Sequence, residues 1–93
     1  MTAAEGEWEV VVTAGAARAL ERLPEKIAVA VVEFITGQLP TNPRRMSKPL
    51  RNELEAWHSA RRGDYRVTFR IDEERHALII GRIEHRSTVY KAR

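Results

Sequence analysis

The 93-residue chain contains no cysteine, and aromatic residues make up only 6% of it. The absence of cysteine excludes disulfides, thiolate metal sites and cysteine nucleophiles, and it leaves three histidines as the soft ligands. We therefore expect no structural metal and no cofactor. The sequence also lacks a run of about 18 apolar residues and the basic-then-apolar pattern of a secretion signal, so we expect a cytoplasmic protein with no membrane partner.

The length of the chain limits its architecture. A chain of 93 residues with 43% hydrophobic content can form one core without disulfide or metal support, but it is too short for a multidomain enzyme. We therefore expect a single domain over residues 1–93.

The net charge of +3 conceals two oppositely charged regions. Residues 1–39 carry three basic and six acidic side chains, whereas residues 44–70 carry eight basic and three acidic ones. Seven of these eight cations are arginine, whose planar guanidinium can hold a phosphate through two parallel hydrogen bonds. Nucleic acid is therefore the first partner to consider, and a merely solvated basic face is the alternative.

The first half of the chain predicts one strand followed by two helices. Residues 8–12 form a β-branched run typical of a strand. Thr13 is a candidate cap for a helix over residues 14–23, and Pro24 would restart a second helix as a first-turn proline. The second helix carries an apolar stripe wide enough to lie on a sheet, at Ile27, Val31, Ile35 and Leu39.

The second half predicts a basic loop over residues 40–56, with one helical turn near 52–56, and then three strands. The strands are predicted at residues 57–62, 65–71 and 77–83, and residues 85–93 form a short polar tail. Tight turns make these strands antiparallel. The predicted fold class is therefore α+β: an N-terminal strand, a helical hairpin, and then an antiparallel sheet of three further strands with one face left open.

The Gly63-Asp64 pair predicts the register of the first hairpin. Glycine accepts the positive φ that the first position of a type II′ turn requires, which places Arg61 opposite Arg66. Side chains then alternate between two faces. The core face receives Ala60, Tyr65, Val67 and Phe69, with His58 as a structural histidine on that side, and the open face receives Ser59, Arg61, Arg66, Thr68 and Arg70.

The Arg61/Arg66 pair is the strongest candidate for a site. Like charges directly opposite each other destabilise a sheet by a few tenths to about 1 kcal/mol. A phosphate bound between the two guanidinium groups would remove this conflict. The alternative is that both side chains extend into water.

A second hairpin that pairs Ile71 with His76 would place Gly81 beside Arg66 and His85 on the open face. Trp57 is predicted to cover the sheet edge. The tail adds Arg86 and Tyr90, so it offers a cation, an imidazole that exchanges protons near pH 7 and a ring able to stack a base. Neither arginine nor an unperturbed tyrosine is an easy general base, so catalysis would depend on electrostatic stabilisation.

Other enzyme classes find no support in the sequence. No glycine-rich phosphate loop, Ser/His/Asp arrangement or metal-ligand spacing is present. No acid pair is evident among Glu53, Glu55 and Glu84.

Several segments along nearly the whole chain follow the order of a known family. They are the opening strand ending in Thr13, the helix end ARALERLP at 17–24, and KPL at 48–50. The most specific segments are SARRGDYRV at 59–67 and HRSTVY at 85–90. Together they resemble the RelE/ParE superfamily of bacterial type II toxins, and its RelE branch in particular.

The resemblance implies a microbial-RNase-like sheet in a metal-independent toxin that enters the ribosomal A site and cuts messenger RNA. In that family the RNA 2′-hydroxyl attacks the adjacent phosphate, which needs stabilisation of an anionic transition state and proton transfer. The resemblance implies catalytic roles for Arg61, Arg66, Arg86 and Tyr90, and we add His85 to the predicted catalytic set because its imidazole can exchange protons near pH 7. The other basic residues that we predict to contact RNA or the ribosome are Arg44, Arg45, Lys48, Arg51, Arg70 and Lys91.

One segment departs from the family pattern. Where some members carry paired lysines, this chain reads His58-Ser59-Ala60, so its proton-transfer chemistry is expected to differ. His58 or His85 could substitute for a lysine. The resemblance also implies a cognate antitoxin, a small acidic RelB-like chain, and a toxin–antitoxin complex that binds operator DNA.

Two other functions stay open at this point. The same fold could act as a ParE-like inhibitor of DNA gyrase without cleaving RNA, although the His-Arg-x-x-Val-Tyr tail favours the nuclease branch. The chain could also be a non-catalytic RNA-binding module, which would bind with a steep salt dependence and produce no new RNA ends.

Overall fold

The computed structural model describes residues 8–50 and 57–85. Strand β1 (Glu9–Val12) is followed by helices α1 (Ala14–Arg22) and α2 (Glu25–Glu33), and α2 continues into a π-helical turn (Phe34–Gln38) and a 3-10 turn (Leu39–Thr41). The later strands are β2 (Lys48–Pro49), β3 (Trp57–Arg62), β4 (Tyr65–Asp72) and β5 (Ala77–His85). The predicted α+β class is therefore confirmed.

The strands form one five-stranded sheet in the order β1-β5-β4-β3-β2. Strands β2 to β5 pair antiparallel with their neighbours, whereas β1 runs parallel to β5. The helices between β1 and β2 supply the crossover that a parallel pair needs. The sequence predicted neither the parallel position of β1 nor the short strand β2.

The N-terminus of α1 is capped by Thr13, as predicted. Its hydroxyl oxygen accepts a hydrogen bond from the backbone N–H of Ala16 at 3.2 Å and donates one to the carbonyl of Ile80 at 2.8 Å. The cap therefore also ties α1 to β5. Pro24 precedes the first residue of α2 as its N-cap, rather than lying in the first turn as predicted, because its ψ of 146° is extended.

The apolar stripe of α2 and the turns after it pack on one face of the sheet. Val31, Ile35 and Leu39 are buried, and Ile27 is partly buried against the same core. The sheet contributes the predicted Ala60, Val67 and Phe69 together with Leu78 and Ile80. The helices thus cover the core face, and the predicted polar residues of β3 and β4 lie on the other face.

The register of the first hairpin is confirmed at every predicted pair. Arg62 lies opposite Tyr65, Arg61 opposite Arg66 and His58 opposite Phe69. Gly63 has a φ of 61°, whereas Asp64 has no positive φ, as a type II′ turn requires. The two-residue turn therefore fixes the two arginines side by side on neighbouring strands.

The register of the second hairpin differs from the prediction. Ile71 pairs with Leu78 rather than with His76, and a bulge falls between Thr68 and Phe69 of β4. Phe69 lies opposite Ile80 and Thr68 opposite Arg82, so Gly81 is the extra residue of β5. The predicted position of Gly81 beside Arg66 is therefore wrong.

The bulge also reverses which face the end of β5 presents. Ile83 is buried in the core, and Glu84 takes the position opposite Arg66 on the open face. His85 instead lies opposite Tyr65, so its predicted placement on the open face is wrong. In the described ranges, no helix is long and apolar enough to cross a membrane.

Candidate functional site

Arg61 and Arg66 line a cavity of about 570 Å³ on the open face. The cavity lies against β2 and the segment before it, and its other lining residues are Arg45, Met46, Ser47, Lys48, Pro49, Leu50 and Ser59. Residues directly opposite each other in a sheet have Cβ atoms about 5 Å apart, so both guanidinium groups can reach one bound phosphate. The structure thus brings the predicted arginine pair to a cavity.

Among the described residues that line this cavity, every charged side chain is basic. Arg45, Lys48, Arg61 and Arg66 supply four cations, and no acidic side chain lines the cavity there. Met46, Pro49 and Leu50 supply an apolar wall beside these cations. A cationic cleft with an apolar side suits a nucleotide, which carries both a phosphate and a flat base.

Backbone pairing holds the basic loop against β3. Lys48 pairs with Ser59, and the N–H of Leu50 donates to the carbonyl of Trp57 at 2.9 Å. The turn before β2 is closed by a hydrogen bond from the Ser47 hydroxyl to the Pro43 carbonyl at 2.7 Å. Pro49 can lie in this strand because β2 is at the edge of the sheet, where a missing N–H breaks no ladder.

Glu84 is a neighbour of the arginine pair that the sequence analysis did not place there. It lies opposite Arg66 on β5, and Arg66 lies opposite Arg61 on β3, so the three side chains form a row across three strands. Nη1 of Arg82 is 3.6 Å from Oε2 of Glu84, and the Glu84 side chain is 28% exposed. The row therefore places one carboxylate beside the arginine pair.

Arg44, which was predicted to contact RNA or the ribosome, is engaged elsewhere. Its guanidinium forms an ion pair with Glu73 and lies 5.8 Å from the ring centre of Trp8. Trp8 is in turn stacked on His76 at 3.9 Å. Arg66 and Glu73 are separated by almost the full length of β4, roughly 20 Å at about 3.3 Å per residue. The Arg44 side chain therefore points away from the cavity that its neighbour Arg45 lines.

Arg70 and Trp57 lie opposite each other on the open face. The indole of Trp57 extends across β4 to Gly81, where an added Cβ would come within 2.7 Å of the ring. The prediction that Trp57 covers the sheet edge is therefore wrong. Since successive side chains of one face are about 6.6 Å apart along a strand, Arg70 lies roughly 13 Å from Arg66.

The two histidines near the site belong to the core face. His58 stacks on Phe69 with ring centres 5.8 Å apart, which confirms its predicted structural position. His85 packs edge-on against Tyr65 at 5.0 Å. The remaining predicted site residues, Arg51, Arg86, Tyr90 and Lys91, lie outside the described residues.

Comparison with known proteins assigns the chain to a family. Residues 10–90 match the family described as "ParE toxin of type II toxin-antitoxin system, parDE". Toxin RelE of Mycobacterium tuberculosis (strain ATCC 25618 / H37Rv) is 57% identical over 84 residues, which cover 90% of this chain and 87% of that protein. The chain belongs to the RelE/ParE family of type II toxins.

Solved structures agree with this assignment. The toxin–antitoxin complex RelBE2 from M. tuberculosis contains a chain that matches this toxin with a TM-score of 0.84 and 44% identity, covering 92% of this chain and 99% of that one. The isolated E. coli RelE toxin matches with a TM-score of 0.72, covering 90% of this chain and 92% of that one. At 15% identity, the E. coli protein shares the fold alone.

Proposed function

We propose that this toxin is a ribosome-dependent endoribonuclease that cleaves messenger RNA in the ribosomal A site and so inhibits translation. The observation that carries the proposal is the Arg61/Arg66 pair, which faces a cavity lined by two further cations, Arg45 and Lys48. Like charges directly opposite each other are costly in a sheet, and a scissile phosphate between Arg61 and Arg66 offsets this cost. We further propose that residues 1–93 act as one toxin domain in the cytoplasm, where ribosomes are found.

The reaction follows from the chemistry of RNA. The 2′-hydroxyl attacks the adjacent phosphorus, and negative charge increases on the phosphoryl oxygens in the transition state. Arg61 and Arg66 remain protonated throughout, so they can stabilise this charge from fixed positions on two neighbouring strands. Loss of one such donor typically lowers the rate by about 10²- to 10³-fold.

Residues of the tail complete the proposed site. Arg86 adds a cation directly after the last residue of β5, and Tyr90 supplies a ring that stacks on a base. His85 stays in the proposed catalytic set for its imidazole, although its ring lies against Tyr65. We propose that the RNA backbone is held beside the cavity by five basic residues, Arg45, Lys48, Arg51, Arg70 and Lys91. Arg44 pairs with Glu73, so it would have to exchange this carboxylate for a phosphate before it could bind RNA.

A cognate antitoxin is the proposed protein partner. The similar chain in the RelBE2 structure belongs to a toxin–antitoxin complex. The archaeal RelE–RelB complex from Pyrococcus horikoshii OT3 also contains a chain with the fold of this toxin. We propose that a small acidic RelB-like chain binds this basic toxin and blocks the cavity, and that the complex binds operator DNA. Purification from the native operon as a fully active monomer would contradict this.

A second candidate function is inhibition of DNA gyrase. It is favoured by the family match, whose description names the ParE toxin. On this alternative the arginine pair binds a protein surface and no RNA is cut. The two functions differ in their product, which is either a broken transcript or an accumulated gyrase–DNA cleavage complex.

Mapping of RNA 5′ ends in a reconstituted translation reaction tests the proposal. The full-length toxin is added with and without ribosomes, and Arg66→Ala is compared with Arg18→Ala, which removes a cation from α1. We expect new ends that require ribosomes, that persist with Arg18→Ala and that fall at least about 100-fold with Arg66→Ala. Intact transcripts together with cleaved gyrase–DNA complexes would replace this proposal with gyrase inhibition.

A further inference from the structure

Cleavage by a 2′-hydroxyl needs a group that accepts its proton, and the cavity offers few. Arginine cannot release its proton, and serine hydroxyls are not bases at neutral pH. Lys48 would have to be neutral to accept one. Both histidines near the site, His58 and His85, pack on aromatic rings of the core face. The four cations that line the cavity therefore stabilise charge but do not take the proton.

Glu84 has the required chemistry and the required position. It is a carboxylate on the open face, directly opposite Arg66 on the neighbouring strand. Directly opposite residues have Cβ atoms about 5 Å apart, so a phosphate held by Arg66 lies within reach of this carboxylate. Glu84 lies beside Arg66 on the β5 side, whereas Arg61 lies beside it on the β3 side. A phosphate bound between the two arginines therefore does not occupy the space of the Glu84 carboxylate.

We propose that Glu84 is the general base that removes the 2′-hydroxyl proton, an inference that rests on the proposed ribonuclease activity. As the bond from the 2′-oxygen to phosphorus forms, the proton moves to a carboxylate oxygen of Glu84. The bond from phosphorus to the 5′-oxygen breaks, and a water molecule protonates that oxygen. The resulting hydroxide takes the proton back from Glu84, which leaves a 2′,3′-cyclic phosphate and a 5′-hydroxyl.

Glu84 also has a structural alternative, which is to neutralise its basic neighbours. Arg66 faces it from β4, Arg82 lies on its own strand, and Arg61 lies one strand further away. However, the Arg82 contact of 3.6 Å is longer than a hydrogen bond, and the Arg82 side chain is 71% exposed. A contact of this length to an exposed arginine contributes little to stability, so Arg82 leaves the carboxylate available for proton transfer.

Single-turnover cleavage on ribosomes programmed with a defined messenger RNA tests the inference. Glu84→Gln keeps the size of the side chain and removes the base, Glu84→Asp keeps a carboxylate, and Glu74→Gln makes the same charge change in the exposed turn after β4. We expect Glu84→Gln to lower the maximal rate by about 10²- to 10⁴-fold with ribosome affinity unchanged. Glu84→Asp should retain part of the rate, and Glu74→Gln should match the wild type.

The dependence of the rate on pH separates the base from a counter-ion. A general base gives the wild-type rate a fall toward acid pH, and the residual rate of Glu84→Gln should lack this fall. Arg82→Gln removes the ion-pair partner and should keep both the rate and the pH profile. Equal losses in Glu84→Gln and Arg82→Gln with an unchanged profile would overturn the inference, as would a fully active Glu84→Gln. A wild-type toxin that cuts no RNA would instead overturn the proposed function, and the inference with it.

Discussion

Trp57 of β3 lies over Gly81 of β5 at a distance that leaves no room for a side chain on the glycine. A Cβ atom at Gly81 would come 2.7 Å from Cζ3 and 3.0 Å from Cη2 of the indole. The ring therefore crosses β4, the strand between them. Gly81 is also the extra residue of the bulge, so one glycine both shifts the register of β5 and makes space for the ring.

We expect Gly81→Ala to lower the free energy of unfolding by about 1–3 kcal/mol, because the added methyl group overpacks against the indole. Denaturant unfolding monitored by circular dichroism measures this. The matched control is Gly37→Ala, where the added Cβ meets no heavy atom within 4 Å beyond its chain neighbours and the backbone of its own helical turn, and it should not destabilise the protein. In a Trp57→Ala background Gly81→Ala should cost little. An equal loss in both backgrounds would contradict the contact.

The two hairpins show where sequence reasoning succeeds and where it fails. Gly63-Asp64 is a turn with a single favoured geometry, so it predicts every pair of the first hairpin. The turn before β5 is closed by His76, which adopts a left-handed φ of 53° without being glycine. The bulge at Gly81 then reverses the alternation. Because the sequence does not reveal this bulge, regular alternation predicted His85 on the open face, where Glu84 lies instead.

Long-range pairings were also beyond the reach of local patterns. The ion pair between Arg44 and Glu73 joins residues 29 positions apart, so nothing near Arg44 in sequence indicates it. The parallel pairing of β1 with β5 joins residues still further apart along the chain, since Glu9 pairs with Ala77. The arginine pair could be predicted because it is the second pair of the ladder after a two-residue turn. The cavity beside it could not, because β2 and its loop form the other wall.

Gly63 should tolerate replacement only by residues that accept a left-handed backbone. Its φ is 61°, and a Cβ atom added there would have no heavy atom within 4 Å, so the cost is backbone strain alone. We expect Gly63→Ala to lower the free energy of unfolding by about 1–2 kcal/mol. Gly63→Asn should lose less, because asparagine visits this conformation more readily. Urea unfolding of the two variants measures the difference, and equal losses would speak against a left-handed turn.

The hydroxyl of Thr13 should contribute more than an ordinary helix cap. It accepts from the N–H of Ala16 and also donates to the carbonyl of Ile80, which links α1 to β5. We expect Thr13→Val, which keeps the shape and removes both hydrogen bonds, to cost about 1–3 kcal/mol of unfolding free energy. Thr13→Ser keeps the hydroxyl and should stay closer to the wild type. Thermal unfolding compares them, and a Thr13→Val variant as stable as the wild type, or less affected than Thr13→Ser, would refute this role of the hydroxyl.

The arginine pair should weaken the fold while serving the site. Arg61 faces the like charge of Arg66 across the ladder, whereas Arg66 also faces Glu84 on its other side. We therefore expect Arg61→Gln to raise the free energy of unfolding by a few tenths to about 1 kcal/mol at low salt, and Arg66→Gln to raise it less. The matched control is Arg62→Gln, which removes an exposed cation opposite Tyr65. Urea unfolding at low and high salt measures all three, and the gain should shrink as salt screens the repulsion. If Arg61→Gln and Arg62→Gln changed stability equally at low salt, the repulsion between Arg61 and Arg66 would be refuted, and with it the reason for an anion to bind between them.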